Sequence, residues 1–345
     1  MQNYLEHIVN YIISLCKIPS PSGNAGKAIQ YVGQELDKLG VPYRISNKGG
    51  LIAELKGANS GKSRTVSAHV DTLGAMVKGI KDNGRLSFVR VGGYALSTVE
   101  CENCIIETME GKVYTGTVYY KSPSVHVDPD MKKEERLPEN MEIVIDEVVS
   151  TKEEVQKLGI EIGDYISFDA RSLVTESGFV KSRHLDDKAC VGVILGVIKY
   201  FKENNITPYY DTYIYISNFE EVGHGSASSI PENTFEFLVV DMGAPGPGQN
   251  SSEYSVSICA SDSGGPHNYE LRKKLVRLAR EKGIDYKLDI YPSYVSDGTV
   301  MLKAGNDSRV GIIGPGVYAS HSYERTHKKG LLNTAELLKE YLQNE

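Results

Sequence analysis

The segment YIYISNFEEVG, residues 213–223, joins a stretch typical of a β-strand to two adjacent glutamates and a glycine. Isoleucine and tyrosine alternate in its first half, and both residue types are enriched in strands. Adjacent carboxylates repel each other, and burying them without partners is unfavourable. Ligands of α/β proteins bind at the carboxyl ends of strands, so Glu220 and Glu221 predict a positively charged ligand at that edge.

The regions on either side of this segment predict an α/β fold with a mostly parallel sheet sandwiched by helices. Apolar residues recur at helical spacing in residues 4–16, 25–39, 188–204, 271–282 and 334–342. Strand-like stretches lie at residues 51–55, 64–68, 213–219, 235–240 and 310–313. Because strands alternate with helices, a parallel sheet covered on both faces is expected.

Residues 74–167 have a different pattern and predict a small all-β domain inserted into the first fold. Short β-type stretches such as 117–120 and 141–145 are separated by glycine, proline and aspartate, with little helical periodicity. We therefore expect one domain formed by residues 1–73 and 168–345, and a β-barrel-like domain formed by residues 74–167.

Composition narrows the classes of partner and location. The net charge of −7 argues against nucleic acid and anionic membranes as partners. The most apolar segment, residues 191–197, is too short to span a bilayer, and the first residues lack the pattern of a signal peptide. Five cysteines are an odd number, which indicates reduced thiols and a cytoplasmic location.

Candidate metal ligands follow the predicted strands or precede a predicted helix at five places in the chain. They are His69 with Asp71, Asp186 with Asp187, Glu220 with Glu221, Asp241, and His321. Histidines and carboxylates at one edge of a sheet suit zinc or a related divalent ion. Two ions are expected rather than one, since a carboxylate can bridge two cations and two cations can hold this many negative groups together.

Each candidate taken singly also has a purely structural explanation. Asp186 and Asp187 can cap the following helix, His69 can simply hydrogen-bond to Asp71, and His321 can be a surface residue. Their shared placement favours the metal site over these separate explanations.

Five motifs together resemble those of the co-catalytic metallo-aminopeptidases of the glutamyl and tetrahedral type. The motifs are Ala68-His-Val-Asp71, Leu185-Asp-Asp-Lys188, Glu220-Glu-Val-Gly223, Val240-Asp241 and Ser320-His-Ser322. The segments at 91–94 and 296–299 also agree, and the resemblance extends over nearly the whole chain. Related carboxypeptidases and deacylases share single motifs, so the inserted β domain decides for this branch.

The resemblance implies a role for each ligand. Asp186 would bridge two divalent ions, most often Zn²⁺, with Co²⁺ or Mn²⁺ as alternatives. His69 and Asp241 would complete one metal site, and Glu221 and His321 the other. Glu220 would be the general base that takes a proton from a metal-activated water, and Asp71 would orient the imidazole of His69. No substrate-binding residue is assigned.

The implied activity is the removal of N-terminal residues from peptides by a homo-oligomer, commonly a dodecamer in this family. The inserted domain, residues 74–167, would contribute to that assembly. Thr72 departs from the family, whose members often have glutamate there, and this departure bears on substrate preference. Asp187 has no implied metal role, and we expect it to pair with Arg183.

Three alternatives use some of the same residues. A metal amidohydrolase, deacylase or carboxypeptidase with the same ligands would need an arginine or lysine to bind the substrate carboxylate. A glycosidase carboxylate pair would have no need of His69 and His321. A metal-free scaffold protein would have lost at least one ligand, and none is lost.

Cys101 and Cys104 are expected to be two reduced thiols in or near a small core.

Overall fold

The computed structural model describes residues 1–345 as seven α-helices and eighteen β-strands, with three short 3-10 helices. The α-helices are α1 Leu5–Cys16, α2 Gly26–Lys38, α3 Lys152–Leu158, α4 Leu185–Glu203, α5 Tyr269–Glu281, α6 Asp297–Lys303 and α7 Lys328–Gln343. The strands are β1 Tyr43–Ile45, β2 Leu51–Leu55, β3 Asn59–His69, β4 Gly74–Ile80, β5 Leu86–Val91, β6 Asn103–Glu107, β7 Val113–Tyr120, β8 Met141–Ile145, β9 Tyr165–Phe168, β10 Leu173–Val174, β11 Phe179–Ser182, β12 Tyr210–Ser217, β13 Thr234–Val240, β14 Val256–Asp262, β15 Gly265–Pro266, β16 Tyr286–Ile290, β17 Arg309–Pro315 and β18 Glu324–His327.

A nine-stranded mixed sheet forms the centre of the larger unit. Its order is β1-β2-β12-β3-β13-β17-β14-β15, and β16 pairs with β14. The central strands β12, β3, β13 and β17 are parallel. Antiparallel pairs flank them, β2 with β12 on one side and β14 with β17 on the other. The predicted α/β class is confirmed, with a parallel centre and antiparallel neighbours on both sides.

Helix α4 is buried along most of its length and packs against α1. Two glycines permit this close approach, because a Cβ on Gly192 would lie 2.5 Å from Ile12 and one on Gly196 would lie 2.3 Å from Ile8. The core that surrounds the two helices contains 50 buried residues. This packing fixes α4, whose first turn carries Asp186 and Asp187.

Strands β4 to β9 close into a separate barrel in the order β4-β5-β8-β7-β6-β9. Its own core contains 19 buried residues, which include Cys104. The barrel is not entirely β, because α3 packs beside it and is capped by the Thr151 side chain at its N-terminus. The inserted small β unit of the predicted fold class is therefore present.

A buried ion pair joins this barrel to the larger unit. The Glu102 carboxylate, just before β6, accepts a hydrogen bond from Arg183 Nε at 2.8 Å and lies 2.7 Å from Arg171 Nη2. Arg183 also donates to the carbonyls of Thr98, in the barrel, and Ser322, in the larger unit. We call this set of contacts the Glu102–Arg183 link.

None of the helices is both long enough and apolar enough to cross a membrane.

Candidate metal centre

Neighbouring parallel strands deliver the predicted ligands to one edge of the sheet. His69 is the last residue of β3 and is in register with Ser217, the last residue of β12. Glu220 and Glu221 follow β12 after two residues, and Asp241 directly follows β13. Because the carboxyl ends of parallel strands meet at the same edge, these side chains converge.

The glutamate pair can serve one site because the chain leaves the extended conformation after β12. Successive side chains of a strand point to opposite faces, so two adjacent glutamates within β12 would diverge. Phe219 instead adopts a φ of 73°, in the left-handed region, and Gly223 follows with a φ of 83°. Both carboxylates therefore line the same cavity.

Asp186 lies between the two histidines and directs one carboxylate oxygen towards each. Its Oδ1 is 3.3 Å from His69 Nε2, and its Oδ2 is 3.4 Å from His321 Nε2. His321 Nε2 is also 3.4 Å from Glu221 Oε2, and His69 Nε2 is 3.6 Å from Glu220 Oε2. A carboxylate placed between two imidazoles in this way has the geometry of a bridging ligand.

Two groups of three donors have ligand atoms within 4.8 Å of one another, and His69 belongs to both. One group contains Asp186 and Glu221, and the other contains Asp187 and Asp241. Asp187 was given no metal role from the sequence. Its Oδ2 accepts the backbone N–H of His69 at 3.1 Å, and its Oδ1 is buried without a hydrogen-bond partner.

The donor set fits divalent cations. Five carboxylates converge here, and none of them forms an ion pair with a lysine or arginine. They belong to Asp186, Asp187, Glu220, Glu221 and Asp241. Two imidazoles cannot balance five buried carboxylates, and imidazole nitrogen and carboxylate oxygen are the donors that zinc and related ions prefer.

The pKa values of the buried carboxyls and of His321 reflect the same excess of negative charge. Burial, together with the charge of Asp186, raises the pKa of Glu221 to about 8 and that of Asp241 to about 7, although nearby histidines oppose both shifts. Burial would lower the pKa of His321, but its contacts with Asp186 and Glu221 raise it to about 10. Without a cation the cluster therefore retains protons that a bound metal would displace.

Asp241→Asn is expected to change the pH dependence of stability in protein stripped of metal. Asp241 keeps its proton in the folded state up to a pH of about 7, whereas in the unfolded chain it ionises near pH 4. Between these values the folded state binds more protons, so the unfolding free energy of the wild type falls as pH rises. We therefore compare the melting temperatures of the two proteins. Their difference, Asp241→Asn minus wild type, should increase from pH 4 to 7 and then level off.

Thermal unfolding across this pH range, with and without added Zn²⁺, measures the effect. The exposed Asp307→Asn is the matched control, and its difference from the wild type should stay flat. Zn²⁺ should stabilise the wild type more than Asp241→Asn. A difference that stays flat or decreases with pH for Asp241→Asn would contradict the assignment.

Asp71 supports both His69 and the glutamate pair. The nearest acceptor to His69 Nδ1 is the backbone carbonyl of Asp71 at 2.9 Å, and the Asp71 carboxylate is 3.7 Å from the same nitrogen. That carboxylate accepts the backbone N–H groups of Glu220 at 3.1 Å and Glu221 at 3.3 Å, and the hydroxyl of Ser22 at 2.5 Å. Asp71 thus fixes the turn that carries both glutamates.

Glu324 is a supporting residue that the sequence motifs did not indicate. It is buried at the start of β18, and its two oxygens accept the backbone N–H groups of Asp186 at 3.1 Å and His321 at 3.0 Å. It therefore holds the backbone of two candidate ligands from separate segments. Only its position three residues after His321 could have drawn attention to it.

The expected pairing of Asp187 with Arg183 is wrong. Arg183 belongs to the Glu102–Arg183 link, where a buried carboxylate and two backbone carbonyls take its donors. Cys101 is exposed, Cys104 lies in the barrel core, and both are free.

A cavity of about 670 Å³ opens from the cluster. Its lining residues are Asp186, Glu220, Glu221, Gly223, Asp241, Met242, Ala244, Pro245, Gln249, Tyr291, Pro292, Ser293, Tyr294, Val295, Val317, Ala319, Ser320 and His321. No lysine or arginine is among them to bind a substrate carboxylate. Donors suited to divalent ions therefore lie at one end of an open cavity that can admit a substrate.

Comparison with known proteins identifies the family. The family model described as M42 glutamyl aminopeptidase matches residues 49–337. The chain is also similar to YhfE of Bacillus subtilis strain 168, a protein named as an aminopeptidase. The two sequences are 51% identical over 333 residues, which cover 96% of each protein. The chain therefore belongs to the M42 glutamyl aminopeptidase family. The predicted resemblance and the class of hydrolytic exopeptidase are confirmed, and a metal-dependent aminopeptidase is favoured over the deacylase or carboxypeptidase alternative.

Solved structures show the same fold. An aminopeptidase from the archaeon Desulfurococcus kamchatkensis superposes with a TM-score of 0.89 at 24% identity, over 99% of this chain and 96% of that one. The TET1 peptidase of Pyrococcus horikoshii, which can assemble into a tetrahedron or a large octahedral shell, superposes with a TM-score of 0.87 at 20% identity. That match covers 98% of this chain and all of the TET1 chain.

Proposed function

We propose that the aminopeptidase uses two divalent ions, held by five ligands, and Glu220 as the general base. Asp186 would bridge the ions, His69 and Asp241 would complete one site, and Glu221 and His321 the other. The observation that carries this proposal is the position of Asp186 between His69 and His321, at 3.3 and 3.4 Å. Zn²⁺ fits these donors, and Co²⁺ and Mn²⁺ are the alternatives.

Two such ions, when bound, lower the pKa of a water molecule and polarise the scissile carbonyl. Glu220 lines the cavity, and its backbone N–H is held by the Asp71 carboxylate. A carboxylate in this position can act as a general base toward a water molecule in the cavity. Glu220 would accept the proton of the attacking water and pass it to the leaving amine.

The free α-amino group of the peptide would be recognised by the carboxylates of the cluster. Glu220 faces the cavity and is not one of the five proposed metal ligands, and no lysine or arginine lines the cavity. A positively charged amine suits this free carboxylate, whereas the carboxylate of an N-acyl amino acid or of a peptide C-terminus does not. This complementarity supports cleavage at the N-terminus of peptides.

Hydrolysis of free and N-acetylated substrates tests this proposal. Acetylation removes the positive charge from the amine, and losing one partner of a buried charge pair costs about 2 kcal/mol or more. We expect leucine p-nitroanilide to be cleaved at least about 30-fold faster, in kcat/KM, than its N-acetyl derivative. Equal rates for the two, or faster cleavage of the acetylated substrate, would contradict aminopeptidase specificity and favour a deacylase.

We further propose that residues 1–73 and 168–345 form the catalytic domain and that residues 74–167 mediate homo-oligomerisation, with a dodecamer as one possible assembly. Eight of the nineteen exposed large apolar side chains lie within residues 74–167, among them Met109, Val127 and Val148. This segment makes up 94 of the 345 residues, so it carries more than its share of exposed apolar side chains, which supports an interaction surface there. The assembly of the Pyrococcus horikoshii TET1 peptidase supports the same view. We also propose a cytoplasmic location, which the free cysteines support.

A further inference from the structure

We propose that the enzyme selects peptides whose N-terminal side chain is uncharged and apolar, such as leucine or methionine, and discriminates against acidic and basic ones. The inference rests on the proposed function, because it places the substrate in the cavity at the cluster. It concerns the wall of that cavity beyond the candidate metal ligands and Glu220. We call this part of the lining the distal wall.

The distal wall carries no charged side chain. Its thirteen residues are Gly223, Met242, Ala244, Pro245, Gln249, Tyr291, Pro292, Ser293, Tyr294, Val295, Val317, Ala319 and Ser320. The two phenols, those of Tyr291 and Tyr294, are neutral at physiological pH. Charged lining residues occur only at the end of the cavity that would hold the ions.

The acids that lie behind the distal wall are already engaged. Asp289 is buried, and its Oδ2 accepts hydrogen bonds from the backbone of Asn250 at 3.0 Å and from the backbone and hydroxyl of Ser251 at 2.8 and 2.6 Å. Asp262 accepts hydrogen bonds from the hydroxyls of Ser296 and Thr299. Neither carboxylate lines the cavity, so neither is available to bind a basic substrate side chain.

The wall is also held in a fixed shape by its own contacts. The hydroxyl of Tyr291 lies 2.5 Å from Ser251 Oγ, and the Tyr291 and Tyr294 rings pack with centroids 5.4 Å apart. A charged side chain entering this space would lose its hydration without gaining a partner. An apolar side chain would exchange water for contact with methyl groups and rings, which is favourable.

The test is a panel of aminoacyl p-nitroanilides cleaved by the full-length, metal-loaded protein. We expect kcat/KM for leucine and methionine to exceed that for glutamate and lysine by about 100-fold, since an unpaired charge is disfavoured at such a wall. Free leucine, as a product, should also inhibit at a concentration at least about tenfold lower than free glutamate or lysine. This second readout reports binding without turnover.

Val295→Asp should shift the selectivity in a defined direction. Val295 lines the cavity and is 46% exposed, so a polar replacement there is tolerated by the fold. The new carboxylate should raise the lysine-to-leucine ratio of kcat/KM about fivefold, because it supplies the missing partner. Val174→Asp is the matched control: Val174 is 37% exposed in β10, away from the cavity, and its ratio should stay that of the wild type.

The outcomes separate this inference from the proposed function. Cleavage of glutamyl or lysyl substrates as fast as leucyl ones would overturn the selectivity and leave the aminopeptidase mechanism intact. A Val295→Asp variant with an unchanged ratio would contradict the placement of the substrate side chain against the distal wall. No cleavage of any free aminoacyl substrate by metal-loaded protein would overturn the proposed function itself.

Discussion

Glu220→Gln is expected to bind the same number of metal ions as the wild type and to lose at least about 10³-fold in kcat. The amide has the size of the carboxylate but cannot accept a proton from water. The backbone of Glu220 is held by the Asp71 carboxylate at 3.1 Å, independently of the side chain, so the turn should persist in the variant. In the proposed mechanism Glu220 is not a metal ligand, and metal binding should therefore survive.

Elemental analysis and steady-state kinetics on the same preparations check this prediction. The control is Glu232→Gln, which makes the same chemical change at an exposed position before β13 and should leave kcat unchanged. A fully active Glu220→Gln would show that another group takes the proton. Loss of the ions together with activity would instead make Glu220 a ligand.

Asp186→Asn is expected to abolish activity because the variant releases the ions. Treatment of the wild type with a chelator should have the same effect. Asp186 is the one ligand whose two oxygens face both histidines, so an amide there offers a single neutral oxygen in place of a bridging carboxylate. We expect the metal content to fall from about two ions per chain to less than one, with kcat reduced at least about 10³-fold. Added Zn²⁺ should restore the chelated wild type but not the variant.

Metal content, activity and the rise in melting temperature on adding Zn²⁺ should change together, because an ion that binds only the folded state stabilises it. The exposed Asp307→Asn serves as the control and should behave as the wild type does. Two retained ions in Asp186→Asn would rule out its bridging role. Full activity in protein shown to contain no metal would rule out the metal mechanism.

The sequence predicted those parts of the site that lie at strand ends. A β-rich stretch followed directly by a metal donor is a local pattern, as at His69 and Asp241, and the parallel topology then brings such residues together. The flanking strands were harder to predict, because antiparallel pairing of β2 with β12 depends on contacts between distant segments. Strand β3 likewise begins at Asn59, before the predicted start at residue 64. The polar first half of this strand lacks the apolar pattern of a strand, so the sequence did not indicate it.

The supporting residues lay beyond the reach of sequence patterns. Glu324 acts on Asp186 across more than a hundred residues, and no motif marks it. Asp187 was paired with a nearby base in sequence, whereas in the fold Arg183 binds Glu102 of the inserted barrel. The distal wall has no motif either, since Gly223 and three loops, residues 242–249, 291–295 and 317–320, come together only in the folded chain.

The Glu102–Arg183 link also bears on how this insertion can be gained or lost in evolution. Arg183 is buried between the barrel and the segment that carries His321, and its carboxylate partner comes only from the insertion. A chain that lost the barrel in one step would expose this guanidinium to water and remove its counter-charge, three residues before Asp186. Trimming the enzyme to a minimal scaffold would therefore loosen the segment that leads to Asp186, so position 183 should be redesigned together with the insert.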